Sequence, residues 1–135
     1  MAGRTYGTAL AVLLAVTLGA CDTVSERRDE VRDAATAFEQ ALGDRAYDRM
    51  CAALAPGTAD EVEQSAGSPC PKALGEESLT RGGAVRLVDV YGHQARAVLA
   101  RDTLFLSRFP AGWKVVAAGC SERPQQPYRC MIKGG

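Results

Sequence analysis

The sequence is poor in the side chains from which most catalytic and metal sites are built. It has one histidine, His93, so a Ser-His-Asp triad would have to use that residue. No two cysteines form a C-x-x-C pair, and a single histidine makes a zinc site a poor alternative. The glycine pair Gly82-Gly83 lacks the lysine and the following helix of a P-loop. We therefore expect no catalytic residue, no metal and no cofactor.

Neither sign of charge is in excess. Sixteen lysine and arginine residues balance sixteen aspartate and glutamate residues. A nucleic-acid-binding domain would show a basic face, so we expect no nucleic-acid partner. Arginine is much commoner than lysine and alanine is abundant, which is typical of bacteria with GC-rich genomes and suggests an actinobacterium.

The apolar segment over 9–18 is well short of the ~20 residues that a transmembrane helix needs. It follows Arg4 and ends in the tetrapeptide LGAC at 18–21, which is the pattern of a secretory signal peptide. A large aliphatic residue, two small residues and cysteine resemble the bacterial lipobox. The resemblance implies cleavage after residue 20, acylation of Cys21 with diacylglycerol or palmitate, and a lipid anchor on the outer face of the cell membrane. The alternative is an ordinary secreted protein with a chance cysteine.

These features predict the domain organisation. The leader covers 1–20 and is cleaved, the lipidated cysteine and a short polar tether cover 21–26, and a single domain covers 27–135. The domain is long enough for a modest core. Loss of Arg4 with the leader leaves one acidic residue in excess.

Four cysteines remain after Cys21. An even number in an exported domain predicts two disulfides, with three possible connectivities. We favour Cys51–Cys70 and Cys120–Cys130, because each pair is local and lies within one structural segment.

Helical periodicity marks the first part of the domain. An amphipathic helix is predicted over 25–42, with Ser25 as its cap and Gly43 at its end. A second helix follows Asp44 as N-cap and buries one face over 47–54. A capping box over 58–61 opens a third, shorter helix, and 67–71 is predicted as loop.

From residue 84 onwards the period changes from 3.6 to 2. Strands are predicted over 85–91, 94–99, 103–109 and 113–118, joined by tight turns into an antiparallel meander. A loop over 121–127 and an edge strand over 128–133 complete the chain. Helices followed by strands predict an α+β fold, with helices packed on one face of a curved four- to five-stranded sheet.

The opening helix to Leu42, the segment from Gly43-Asp44 to Pro56 and the later meander resemble the NTF2-like superfamily. The segments at 102–106, 112–115, 118–120 and 127–130 are similar to the tail of small actinobacterial lipoproteins with this cone-shaped fold. The resemblance implies a cavity between helices and sheet. Some relatives are enzymes on small polycyclic substrates, with an Asp or His in the cavity.

Five side chains are candidates for a cavity or a contact surface. Asp89 shares a strand face with Tyr91, so it is buried if that face is inward, but it faces solvent if Val88 and Val90 form the core. The candidate set is Asp89, Tyr91, His93, Trp113 and Tyr128.

We therefore expect a non-enzymatic, membrane-anchored lipoprotein that presents a binding surface to an envelope protein or a small apolar ligand. The alternative is a small-molecule carrier or enzyme that uses Asp89 or His93 as acid/base. A third hypothesis is a structural envelope protein with no specific ligand.

Overall fold

Helices precede strands in the computed structural model, which describes residues 2–3 and 23–134. Cys21 and nearly all of the predicted leader lie outside the described residues. No helix in the described part has the length and apolar character to cross a membrane. The α+β class expected from the sequence is confirmed.

The secondary-structure elements form one layer of helices and one sheet. The helices are α1 (Val24–Gly43), α2 (Tyr47–Ala53), α3 (Pro56–Ala66) and α4 (Cys70–Glu76). The strands are β1 (Val85–Tyr91), β2 (Gln94–Leu99), β3 (Thr103–Phe109), β4 (Gly112–Arg123) and β5 (Gln126–Lys133). The strands pair antiparallel in the order β1-β2-β3-β4-β5, so β1 and β5 are the two edges.

A capping box starts α1. The Thr23 hydroxyl accepts a hydrogen bond from the Glu26 N–H at 3.1 Å, and the Glu26 carboxylate accepts one from the Thr23 N–H at 2.7 Å. Ser25 is therefore not the N-cap that we predicted. Residues 24–26 form the first helical turn, so the tether predicted over 21–26 is shorter than expected.

The predicted N-caps of the next two helices have other roles. The Asp44 N–H donates into the last turn of α1, and α2 begins only after Ala46. α3 begins at Pro56, which suits a first turn because N–H groups there have no partner within the helix. Thr58 does not cap α3. It is buried, and its hydroxyl donates to the Val116 carbonyl at 3.1 Å, which ties α3 to β4.

A fourth helix begins within the segment predicted as loop over 67–71 and continues to Glu76, through residues for which we predicted no element. α4 starts at Cys70-Pro71, and the Cys70 N–H donates to the Glu63 carboxylate at 3.0 Å. Proline is acceptable in a first helical turn as well as in a loop, so composition alone did not separate the two. The Cys51–Cys70 disulfide joins α2 to α4, as predicted.

β1, β2 and β3 have the bounds that the alternating pattern predicted. Val88, Ala97 and Leu104 lie opposite one another across these three strands, and all three are buried. α1 packs against this face of the sheet. The core therefore lies on one face, and the opposite face, which we call the outer face, has no helix layer among the described elements.

β4 and β5 are longer than predicted. β4 continues past residue 118 to Arg123, and the segment predicted as a loop over 121–127 is the end of a hairpin with Pro124 and Gln125 at its turn. Gln125 has a positive φ of 57°, which fits a turn with proline at its first central position and a left-handed residue at its second. Cys120 and Cys130 lie directly opposite each other in this hairpin and form the second predicted disulfide.

Large side chains fill the space between the helices and the sheet. Phe38 from α1 and Met50 from α2 meet Leu104, Leu106 and Val115 from the sheet, and none of the five is more than 1% exposed. Burial of each contributes roughly 1.5–3 kcal/mol to folding. The side chains of the helices and of the sheet thus pack closely against each other in the core.

Candidate functional site

The outer face of the sheet carries a row of polar and aromatic side chains. Asp89 follows the buried Val88 in β1. It lies opposite Arg96 in β2, and Arg96 lies opposite Phe105 in β3. Alternation along each strand turns this row away from the helices. Asp89 is therefore outside the space between helices and sheet. Val88 is in the core and the half-buried Val90 packs against it, as in the alternative that leaves Asp89 outside.

Asp89 and Arg96 form an ion pair in which the Asp89 side chain is about three-quarters buried. Both Nε and Nη2 of Arg96 donate to Oδ2 of Asp89, the former at 3.1 Å. The Asp89 side chain is 24% exposed and the Arg96 side chain 32%. The hydrogen bond to Asp89 is the main cause that raises the pKa of Arg96, so the guanidinium stays charged. Asp89 fixes the orientation of the arginine.

The ion pair continues into a chain of hydrogen bonds. Nη1 of Arg96 donates to the Tyr128 hydroxyl at 3.3 Å, and this hydroxyl donates to Oε1 of Glu122 at 2.7 Å. The hydrogen bond to Glu122 and partial burial raise the pKa of Tyr128, and the nearby Arg96 opposes them. Tyr128 is therefore a protonated donor at neutral pH.

Tyr128 reaches the outer face because the β4–β5 hairpin curves. Strands β3 and β5 are two positions apart, which separates them by about 10 Å in a flat sheet. The rings of Phe105 and Tyr128 nevertheless have centroids 5.0 Å apart, in an edge-to-face arrangement with an interplanar angle of 78°. This geometry is favourable for aromatic pairs and holds the hairpin against β3.

These contacts line a groove of about 260 Å³ on the outer face. Tyr91 stands on one side with 69% of its surface exposed, and Tyr128 and Phe105 form the other side. The lining residues are Tyr91, Gln94, Ala95, Arg96, Phe105 and Tyr128. Aromatic walls with a fixed guanidinium between them suit a partner that offers apolar surface and a few hydrogen-bonding groups.

The other three candidate residues do not line the groove, although Asp89 holds Arg96, which does. His93 lies exposed in the β1–β2 turn, where its carbonyl accepts from the Arg108 N–H at 2.8 Å. Trp113 is 7% exposed, and its indole N–H donates to Glu30 on α1 at 3.1 Å. Trp113 is thus a packing residue between β4 and α1.

Arg96 is the residue at the centre of the site, and we did not single it out from the sequence. The two-residue turn Gly92-His93 fixes the register of β1 and β2, and counting back from it places Arg96 opposite Asp89. The Asp89–Arg96 pair could therefore have been predicted from the sequence. The position of Glu122 beside Tyr128 could not be predicted in this way, because Glu122 lay in a segment predicted as loop.

A second group of carboxylates lies at the end of the sheet near the β2–β3 turn. Glu39 is 3% exposed, and its Oε2 accepts from the Gly82 N–H at 2.7 Å, while its Oε1 has no hydrogen-bond partner. Burial is the main cause that raises the pKa of Glu39. Glu39 lies four residues after the buried Ala35, so helical spacing already placed it on the apolar stripe.

Asp102 sits in the same region and anchors backbone. Its Oδ1 accepts from the N–H groups of Thr103 and Cys120, and its Oδ2 accepts from that of Gly119. Gly82 passes so close that a Cβ there would lie 2.6 Å from the Asp102 Cβ. Glu39 and Asp102 thus hold the loop before β1, the β2–β3 turn and β4 together.

Comparison with known proteins finds no match. No protein-family model, curated protein or solved structure matches the chain. Across residues 2–3 and 23–134, no three His, Cys, Asp or Glu side chains form a group that could hold a metal ion.

Proposed function

We propose that this chain is an extracytoplasmic lipoprotein, anchored to the outer face of the cell membrane through an acylated Cys21 after removal of residues 1–20. Its domain is a non-enzymatic binding module, and the groove between Tyr91 and Tyr128 is its contact site. The observation that carries the proposal is the Arg96 guanidinium, held by Asp89 in a groove lined by the exposed ring of Tyr91 and the half-buried rings of Phe105 and Tyr128.

The disulfides support export. Cys51–Cys70 and Cys120–Cys130 pair all of the cysteines in the described part of the chain. Disulfides form and persist in oxidising compartments and are rare in the cytosol of mesophiles. An extracytoplasmic location is consistent with them, and the resemblance of the sequence at 18–21 to a lipobox supports a lipid anchor on the membrane.

Binding on the outer face is favoured over binding inside the fold. The helix–sheet interface is closed by side chains such as Phe38 and Leu104, which are at most 1% exposed. Asp89, the acid/base of the alternative enzyme hypothesis, is already engaged by Arg96. We retain the NTF2-like assignment as part of the proposal, supported by helices that precede an antiparallel sheet with a curved end.

Intact mass of the protein extracted from membranes tests the anchor. We expect the mass of the chain from Cys21 onwards, less four hydrogens for two disulfides, plus acyl groups. Cys21→Ala should move the domain to the soluble fraction with both disulfides intact. Unmodified Cys21, or a Cys21→Ala protein that stays on membranes, would contradict lipid anchoring.

Photo-crosslinking tests the groove as a contact site. A photoreactive residue in place of Gln94, which lines the groove, is expected to give a discrete adduct in intact cells. Gln64, exposed on α3, is the matched control and should give none. The adduct should also be lost on Arg96→Ala in the same chain. Equal labelling from both positions would show that the groove is not the contact site.

A further inference from the structure

Three segments meet at one end of the domain, which we call the proximal end: the first turns of α1, the β1–β2 turn and the β3–β4 turn. Nη1 of Arg27 donates to the Gly92 carbonyl at 3.4 Å, which joins the start of α1 to the β1–β2 turn. The Arg108 N–H binds the His93 carbonyl, and Trp113, next to the β3–β4 turn, binds Glu30. The β2–β3 and β4–β5 turns lie at the opposite end, because the strands alternate in direction.

The proximal end exposes apolar surface. Among the described residues the large exposed hydrophobic side chains are Val24, Leu87, Tyr91 and Met131. Two of them, Val24 at 47% and Tyr91 at 69% exposure, belong to the proximal end, beside the exposed Pro110 and Ala111 of the β3–β4 turn. Tyrosine suits a membrane surface, because its ring is apolar and its hydroxyl remains in the wet headgroup layer.

The chain length outside the helix brings this end to the lipid. Cys21 precedes Thr23, the N-cap of α1, by two residues, and two residues span at most ~7 Å. α1 has twenty residues, about 30 Å of helix, and runs from the proximal end to Glu39 near the β2–β3 turn. The anchor therefore attaches at the very end that carries Val24 and Tyr91.

We infer that the proximal end rests on the bilayer, with Tyr91 and Val24 in the lipid interface, so that the outer-face groove rises from the membrane surface at Tyr91. This inference rests on the proposed acylation of Cys21. Glu26, Arg27, Arg28 and Asp29 follow one another in the first turns of α1, so the formal charge of this segment is balanced. The contact is therefore expected on zwitterionic phosphatidylcholine vesicles, without anionic lipid.

Hydroxyl-radical footprinting tests the orientation in the natural chain. The acylated protein on phosphatidylcholine vesicles is compared with the soluble Cys21→Ala protein, after flotation has shown that the first is vesicle-bound. Labelling of Tyr91 and His93 should fall several-fold on vesicles, whereas labelling of Met131 and Tyr128, on the β4–β5 hairpin, should not change.

Two exposed apolar side chains provide a matched pair of variants. Tyr91→Glu should restore labelling of His93 on vesicles, because a carboxylate does not enter the lipid interface, whereas Met131→Glu should leave His93 protected. Both residues are largely exposed, so neither change disturbs the core.

The outcomes separate the two proposals. Protein that floats with vesicles but shows equal labelling of Tyr91 in both forms overturns the orientation and leaves the anchor standing. Protein that does not float overturns the anchor and, with it, the orientation. Protection of Met131 in place of Tyr91 would place the opposite part of the domain on the bilayer and overturn the inference.

Discussion

Glu39 is a buried carboxyl group whose ionised form the rest of the fold compensates only in part. One carboxylate oxygen accepts from the Gly82 N–H, but Oε1 is buried without a partner, and the charge of nearby Asp102 adds to the cost of ionisation. The positive charge of Arg81 offsets part of this cost. A buried carboxyl group in such surroundings favours its neutral form.

Replacement of Glu39 by glutamine isolates this effect. Because the pKa of Glu39 is raised by folding, its stabilising protonated form is fully present below the unfolded pKa of about 4.3 and is lost as pH rises through the folded value. The free energy of unfolding of the natural protein should therefore fall relative to that of Glu39→Gln between acid and neutral pH. Urea titrations across this range measure the difference.

The exposed Glu77, replaced by glutamine, is the control for Glu39 and should show no such trend. A constant difference between the natural protein and Glu39→Gln at all pH values would mean that Glu39 titrates normally in the folded state.

Asp102 is expected to stabilise the fold, whereas ionised Glu39 is expected to destabilise it. It accepts three backbone hydrogen bonds, from Thr103, Gly119 and Cys120. Hydrogen bonds to charged groups contribute roughly 1.5–3 kcal/mol each, and several lost together are not additive, so Asp102→Ala should lower the free energy of unfolding by about 3–5 kcal/mol. Urea unfolding at neutral pH measures it. Asp60→Ala, at an exposed position of α3, should cost little, and similar losses in both variants would contradict the anchoring role.

At the scale of elements, the accuracy of the sequence-based predictions followed the strength of the local signal. β2 alternates strictly between core and outer face, β3 alternates over residues 104–107, and tight turns bound both strands, so their limits were predicted correctly. α4 and the end of β4 were missed, because proline and glutamine in those segments are equally typical of loops. Glu122 lies in the missed part of β4. Tyr128 was a predicted candidate at the start of the edge strand, but its contacts with Arg96 and Phe105 are long-range and did not follow from the local pattern.

The Cys120–Cys130 disulfide should stabilise this hairpin specifically. Its removal by a double serine substitution should cost about 3 kcal/mol in the chain-entropy model and should raise hydrogen exchange in β5. Removal of Cys51–Cys70 should cost a similar amount but leave exchange in β5 unchanged, since that bond joins α2 to α4. Equal acceleration of β5 in both variants would mean that the bond does not act locally.

At the scale of the whole molecule, the helix layer leaves one sheet face open, and the proposed attachment point, Cys21, precedes the N-cap of α1 by two residues in the sequence. On the proposed lipid anchor, the short tether keeps the proximal end at a high effective concentration near the lipid surface, so weak contacts through Val24 and Tyr91 are sufficient to orient it. On this proposal the orientation depends on tether length as much as on side chains.

A ten-residue Gly-Ser insert between Asp22 and Thr23 separates these contributions. The insert leaves the Thr23–Glu26 capping box intact, so α1 and the domain should keep their stability. A flexible linker of this length spreads the domain over roughly 15–20 Å, which lowers the effective concentration of the proximal end at the bilayer. The protein should still float with vesicles, but protection of Tyr91 and His93 from hydroxyl radicals should weaken. Undiminished protection would mean that the proximal end binds lipid tightly by itself, and that the short connection between Cys21 and α1 is not what orients the domain.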